Sequence, residues 1–149
     1  MCDRLIRLQL QGHISVPLEL STFVRGNTVK IYTTFFSNLH NIPDTIVPIS
    51  ICLKPPSDWV GLEYKKLAPK RSFFSLWKEN RDNVYYSRCF DVEVLGELVA
   101  DNVIQELSRL TNQADEIALV CYELPNEFCH RHLIAQWLKQ YGYDVEEYL

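Results

Sequence analysis

The feature that most constrains this chain is the alternation in its last third. Residues 117–124 form an apolar, β-branched run that ends at Pro125-Asn126. Residues 128–141 then place Leu133, Ile134, Trp137, Leu138 and Tyr141 at helical spacing and stop at Gly142, and residues 143–148 read as a final strand. Upstream, residues 29–36 (Val-Lys-Ile-Tyr-Thr-Thr-Phe-Phe) and 45–53 are dense in β-branched and aromatic residues and read as two further strands. A connection with a short helical turn is expected at 39–44. Strands alternating with helices indicate an α/β fold with a mainly parallel sheet flanked by helices.

Between these parts, residues 59–88 read as irregular and rich in aromatics. Phe73, Phe74 and Trp77 have the spacing of a short helix, with Ser72 as its expected N-cap. Asp91 is the expected N-cap of a longer helix to Leu110, whose buried stripe is Leu95, Leu98, Val99, Val103, Leu107 and Leu110.

The N-terminus follows a different rule. From Ile6 to Leu20 every even position except Gly12 is aliphatic, a period of two that predicts an amphipathic β ribbon. Pro17 cannot donate to a ladder, so the second half belongs at a sheet edge or in a dimer interface. With 149 residues, 47% of them hydrophobic, the chain suits a single domain. Residues 1–28 are the ribbon extension and 29–149 the α/β core.

Charge narrows the partners. Fifteen Lys and Arg against nineteen Asp and Glu give a net charge of -4, so no domain-wide basic field holds a polyanion. Nucleic acid is expected only through a local patch. No run reaches the roughly 18 apolar residues of a membrane span. Asp3, Arg4 and Arg7 interrupt the N-terminus where a signal peptide needs an apolar stretch. A cytoplasmic protein is expected, with all five cysteines (Cys2, Cys52, Cys89, Cys121, Cys129) as free thiols.

Chemistry concentrates in residues 118–135. Cys121 and Glu123 fall at the carboxyl end of a strand, where open α/β sheets bind ligands. Cys129, His130 and Arg131 fall in the first turn of the next helix. A helix start with an arginine suits a phosphate or carboxylate and favours the thiolate of a cysteine placed there.

Cys121-x-Glu123, five residues, then Cys129-His130-Arg131 before an amphipathic helix resembles the signature of the family called domain of unknown function 488. Residues 31–38 (Ile-Tyr-Thr-Thr-Phe-Phe-Ser-Asn), Pro48-Ile49-Ser50-Ile51, residues 64–69 (Tyr-Lys-Lys-Leu-Ala-Pro) and residues 82–95, with Tyr85-Tyr86 and Phe90, extend the resemblance over 29–149. It implies an α/β domain with a polar site and brings no established reaction. Residue by residue, it points to Tyr32, Ser37, Asn38, Lys65, Lys66, Glu123, Cys129, His130 and Arg131 as ligand-binding positions, with Lys65 and Lys66 as the cationic half of an anion site.

Rival chemistries fit less well. In a thiol phosphatase or rhodanese an arginine follows the strand-end cysteine by six positions, and here that position is Glu127. The spacing Cys121-x7-Cys129-His130-x-His132 matches no familiar zinc site, and contiguous helical residues point apart, so no metal and no cofactor is expected. Neither a dinucleotide glycine motif nor a phosphate loop occurs among the five glycines. Two readings stand at this point. The first is a domain binding a phosphorylated or nucleotide-like anion at the Cys129-His130-Arg131 helix start, with or without catalysis. The second is a non-catalytic interaction or scaffold protein, in which that loop is structural and residues 6–20 pair two copies into a homodimer.

Overall fold

The computed structural model describes residues 28–149; the ribbon expected at 6–20, and the dimer it would make, lie outside the described residues. Five strands form one sheet in the order β3-β2-β4-β1-β5. They are β1 (Lys30–Phe35), β2 (Ile46–Ser50), β3 (Leu62–Glu63), β4 (Glu116–Cys121) and β5 (Val145–Glu147). Every pairing is parallel. The described residues add four α-helices: α1 (Arg71–Asn80), α2 (Asn83–Glu93), α3 (Ala100–Leu110) and α4 (His130–Gln140).

The centre of the sheet explains the apolar run. β4 lies between β2 and β1, and Ile117, Ala118, Leu119 and Val120 are all wholly buried. A strand covered on both faces has no wet side to alternate with, which is why the run is continuous. α4 packs against β1, β4 and β5 through Ile134 and Leu138, both fully buried. It ends where Gly142 takes φ 86°, the left-handed conformation that glycine adopts without cost after a helix.

The largest departure from the sequence reading falls in the helical middle. A single helix over 91–110 is expected, but the chain forms α2, a 3-10 turn at Leu95–Glu97, and then α3. Val94 caps α2 at φ -112°, ψ -70°, and Leu98 and Val99 are extended. Gly96 and the β-branched Val94 and Val99 weaken helix propagation there, and the turn lets Leu95 reach the core at 4% exposure. Asp91 therefore lies inside α2. The cap is Asp82, whose carboxylate accepts from Tyr85 N–H at 3.0 Å. Asp82→Ala is expected to cost about 1 kcal/mol, read as a lower denaturant midpoint at constant slope. α1 likewise begins after Lys70 rather than at Ser72. The two-residue β3 carries too short a signal to be seen in the sequence.

An aromatic cluster joins α1 and α2. Phe73 meets Tyr86 edge-on at 5.1 Å, Tyr86 and Phe90 stack at 6.1 Å, and Trp77 meets Tyr86 at 5.7 Å. Cys52, Cys121 and Cys129 are free thiols. Cys89 is disulfide-bonded, which corrects the expectation of five free thiols. That expectation rested on the odd number of cysteines, their spacing and the expected compartment, none of which assigns an individual cysteine. Among the described residues, no helix is long and apolar enough to cross a membrane.

Candidate functional site

The site is built where β2 and β4 end. Beyond β2 the chain continues in register for one more step, with Ile51 N–H donating to Val120 O at 3.1 Å. This places Cys52 beside Cys121, the last residue of β4, with their sulfurs 3.6 Å apart. The loop after β4 then turns into α4, and Cys129 is that helix's N-cap, in extended geometry at φ -149°, ψ 140°. Because Cys129 is outside the helix while His130 begins it, the two side chains do not diverge as neighbours inside a helix would. Sulfur, sulfur and ring nitrogen of Cys121, Cys129 and His130 all lie within 4.8 Å of one another.

His130 is oriented by the backbone. Its Nε2 is 2.9 Å from Ile51 O, and a carbonyl only accepts, so Nε2 carries a proton and donates. Nδ1 then faces the sulfurs, 3.7 Å from Cys121 Sγ. Phe90 lies against the imidazole with ring centroids 5.4 Å apart. Glu123 completes the floor, with Oε2 accepting from Cys121 Sγ at 3.3 Å.

The electrostatics follow from crowding these groups out of water. Burial opposes ionisation of Cys129, but hydrogen bonds with Cys121 and His130 and the charges of His130 and Arg131 outweigh it and hold the thiol low. Burial likewise works against the His130 imidazolium, and the Cys129 thiolate beside it outweighs that and raises its pKa. Cys121 is pushed up by its hydrogen bonds to Cys129 and Cys52 and by burial. Glu123 is raised by burial and by the neighbouring Cys129 charge.

Above this floor opens a cavity of about 380 Å³. One wall is aromatic, made of Phe74, Trp77, Tyr86 and Phe128, and Lys54, Arg71 and Lys78 contribute to its lining. Among the described residues, no ion pair takes up any of these three cations.

Of the nine positions read from the sequence, Glu123, Cys129 and His130 line this cavity, and the other six do not. Arg131 is fully buried and turned away. Its Nε and NH2 donate to Glu147 Oε1 at 3.1 and 2.8 Å, and NH1 donates to Glu123 O at 2.6 Å. Lys65 pairs with Glu63 and donates to the carbonyls of Cys52 and Leu53 at 3.1 and 3.0 Å. Lys66 pairs with Glu106 at 2.8 Å. Both lysines face a neighbouring cleft that shares Arg71 with the first. Asn38 is buried and donates to Thr34 Oγ1 at 3.1 Å and to Tyr148 O at 3.0 Å. Ser37 is exposed, and Tyr32 donates to Glu116 at 3.3 Å.

The sequence reading missed Cys52, Lys54, Arg71 and Lys78 as cavity residues. Lys54 follows a strand end, a signal that was available; Arg71 and Lys78 belong to a helix whose docking position is set by packing.

A family model for DUF488-N3a, described as the active DUF488-N3 subclade, matches residues 40–142. The chain belongs to this family. The resemblance carried by the Cys-x-Glu and Cys-His-Arg segments is thus confirmed. The DUF488-N3a match spans every residue named here for the cavity and its floor, while β1, β5 and Glu147 fall outside it. No curated protein and no solved structure matches the chain.

Proposed function

We propose that this DUF488-N3a domain binds a phosphorylated, nucleotide-like small molecule in the cavity at the carboxyl ends of β2 and β4 and acts on it at the Cys121-Cys129-His130 floor. The observation that carries this reading is the set of three cavity cations, Lys54, Arg71 and Lys78, which among the described residues form no ion pair and stand beside an aromatic wall. Lys65, Lys66 and Arg131 are engaged by carboxylates, whereas the charge of Lys54, Arg71 and Lys78 stays available to an anion that enters the cavity they line. Phe74, half-buried in the aromatic wall, offers apolar surface to a base, and the volume lies in the range of small-molecule sites. The description of the family as the active subclade accords with a site that does chemistry as well as binding.

The anion is held by a different set of residues from the helix-start arginine. Arg131→Glu would put a carboxylate against Glu147 in a buried position and would test folding rather than binding. The informative variant is the double reversal Arg71→Glu/Lys78→Glu, since both positions are exposed. A thermal-shift panel of nucleotides, sugar phosphates and short single-stranded nucleic acids is expected to raise the melting temperature of the wild-type protein with at least one nucleotide. The double variant, folded as judged by circular dichroism, should bind that nucleotide at least about tenfold more weakly by calorimetry, the loss of one charge-assisted contact or more. A panel without a hit, or an affinity unchanged by the reversals, overturns the proposal.

A further inference from the structure

The floor of the cavity gathers three ligating atoms close enough together to hold one ion. We propose that Cys121, Cys129 and His130 form a three-ligand Zn2+ site whose fourth position opens into the cavity. The inference deepens the binding reading above, because the open position would face the bound anion.

Three observations carry it. The first is spacing. Zinc bonds of about 2.3 Å to sulfur and about 2.0 Å to nitrogen give tetrahedral edges of roughly 3.6–3.8 Å. Cys121 Sγ and His130 Nδ1 are 3.7 Å apart, and the whole Cys121, Cys129 and His130 set lies within 4.8 Å. The second is orientation. Nε2 of His130 donates to Ile51 O at 2.9 Å, so the lone pair of the neutral ring is on Nδ1, the atom facing the sulfurs. A ligating histidine held through its other nitrogen by a backbone carbonyl is the usual support for a metal ligand. The third is charge. Glu123 points at the sulfurs, is only partly exposed, and has no cationic partner among the described residues. A divalent cation beside it would balance the carboxylate and the thiolates together.

Donor type selects the metal. Two thiolates and an imidazole suit a borderline-soft ion such as Zn2+ and disfavour Mg2+ or Ca2+, which prefer oxygen. Three protein ligands with a free position is the pattern of zinc sites that act on a substrate, whereas structural sites close with four. Inside a helix Cys129 and His130 would point apart; the extended N-cap geometry of Cys129 lets both face one ion despite a spacing that matches no familiar zinc site. Cys52 Sγ, 3.6 Å from Cys121 Sγ, stands next to the set without being one of the three mutually close donors.

Cobalt tests the site directly. Full-length protein, stripped with a chelator under reducing conditions, is titrated with Co2+ in the absence of any nucleotide. The expected result is a saturating sulfur-to-cobalt charge-transfer band with the intense visible bands of a tetrahedral ion, at one Co2+ per chain, discharged by Zn2+. Cys129→Ser and His130→Ala should each weaken binding at least about tenfold, the scale on which losing even a supporting contact acts. Circular dichroism of both variants checks the fold. A wild-type protein that stays folded and gives no band overturns the proposal, as does a band that survives both substitutions. Failure here is separable from failure of the binding reading. The nucleotide panel run on chelator-treated protein reports the Lys54, Arg71 and Lys78 cavity, and the cobalt titration reports the floor.

Discussion

Glu147→Ala is expected to lower the free energy of unfolding by about 3 kcal/mol, at the low end of what breaking a buried ion pair costs because Glu147 keeps some solvent contact. Its side chain is 21% exposed, while that of Arg131 is wholly buried. Glu147 takes both the Nε and NH2 hydrogens of Arg131 and also accepts from Thr33 Oγ1. Removing the carboxylate leaves a guanidinium that can neither lose its proton nor reach water, and desolvation without compensation is the costly half of a buried pair. The damage also reaches the site, because Arg131 NH1 holds Glu123 O at 2.6 Å and so positions the loop that carries the Glu123 carboxylate. Urea denaturation at constant slope measures the loss. Glu147→Ala/Arg131→Met, which removes both charges, should recover part of it, since replacing a buried pair with apolar groups is often close to neutral. A single-variant loss under about 1 kcal/mol would mean that the pair is solvated, contrary to the burial of Arg131.

Phe90→Ala should cost about 3–5 kcal/mol, the range for deleting a buried aromatic ring. Phe90 is wholly buried in α2, stacked on Tyr86, edge-on to Phe73 at 6.5 Å and tilted against His130 at 5.4 Å. No other residue is placed to fill the space, because its neighbours are rings already packed against one another. The cavity left behind would free His130 on one side and Tyr86 on the other, so the variant should also bind Co2+ and nucleotide more weakly than its stability alone explains. Phe90→Leu, which restores most of the volume, should recover more than half of the stability. A loss below about 2 kcal/mol for the alanine variant would show that the cluster collapses freely around the gap.

Legibility in the sequence followed the range of the interactions involved. β4 and α4 are read within three residues of their ends, since a continuous apolar run and a helical stripe are statements about near neighbours. The break between α2 and α3 was missed because Leu95 reaches the core only if the helix stops, and helical spacing continues through the sequence regardless. The Cys-His-Arg segment falls where the sequence places it, after a strand end and at a helix start. Its arginine was assigned to a ligand because nothing local shows that Glu147, sixteen residues on, arrives in β5 to take both forks.

The net charge of -4 and its chemical consequence depend on the same distinction. The sequence by itself determined a parallel α/β domain of the DUF488 family with thiols, a histidine and a carboxylate gathered around one strand end, because those residues are neighbours along the chain or at strand termini. Only the tertiary structure decided which cations are spent and which are available. Lys65, Lys66 and Arg131 meet carboxylates of β3, α3 and β5, while Lys54, Arg71 and Lys78 come to a shared cavity and form no ion pair among the described residues. Ion pairing depends on distances of a few ångströms, and for Lys66 with Glu106 and Arg131 with Glu147 those distances join different elements and are set by the fold.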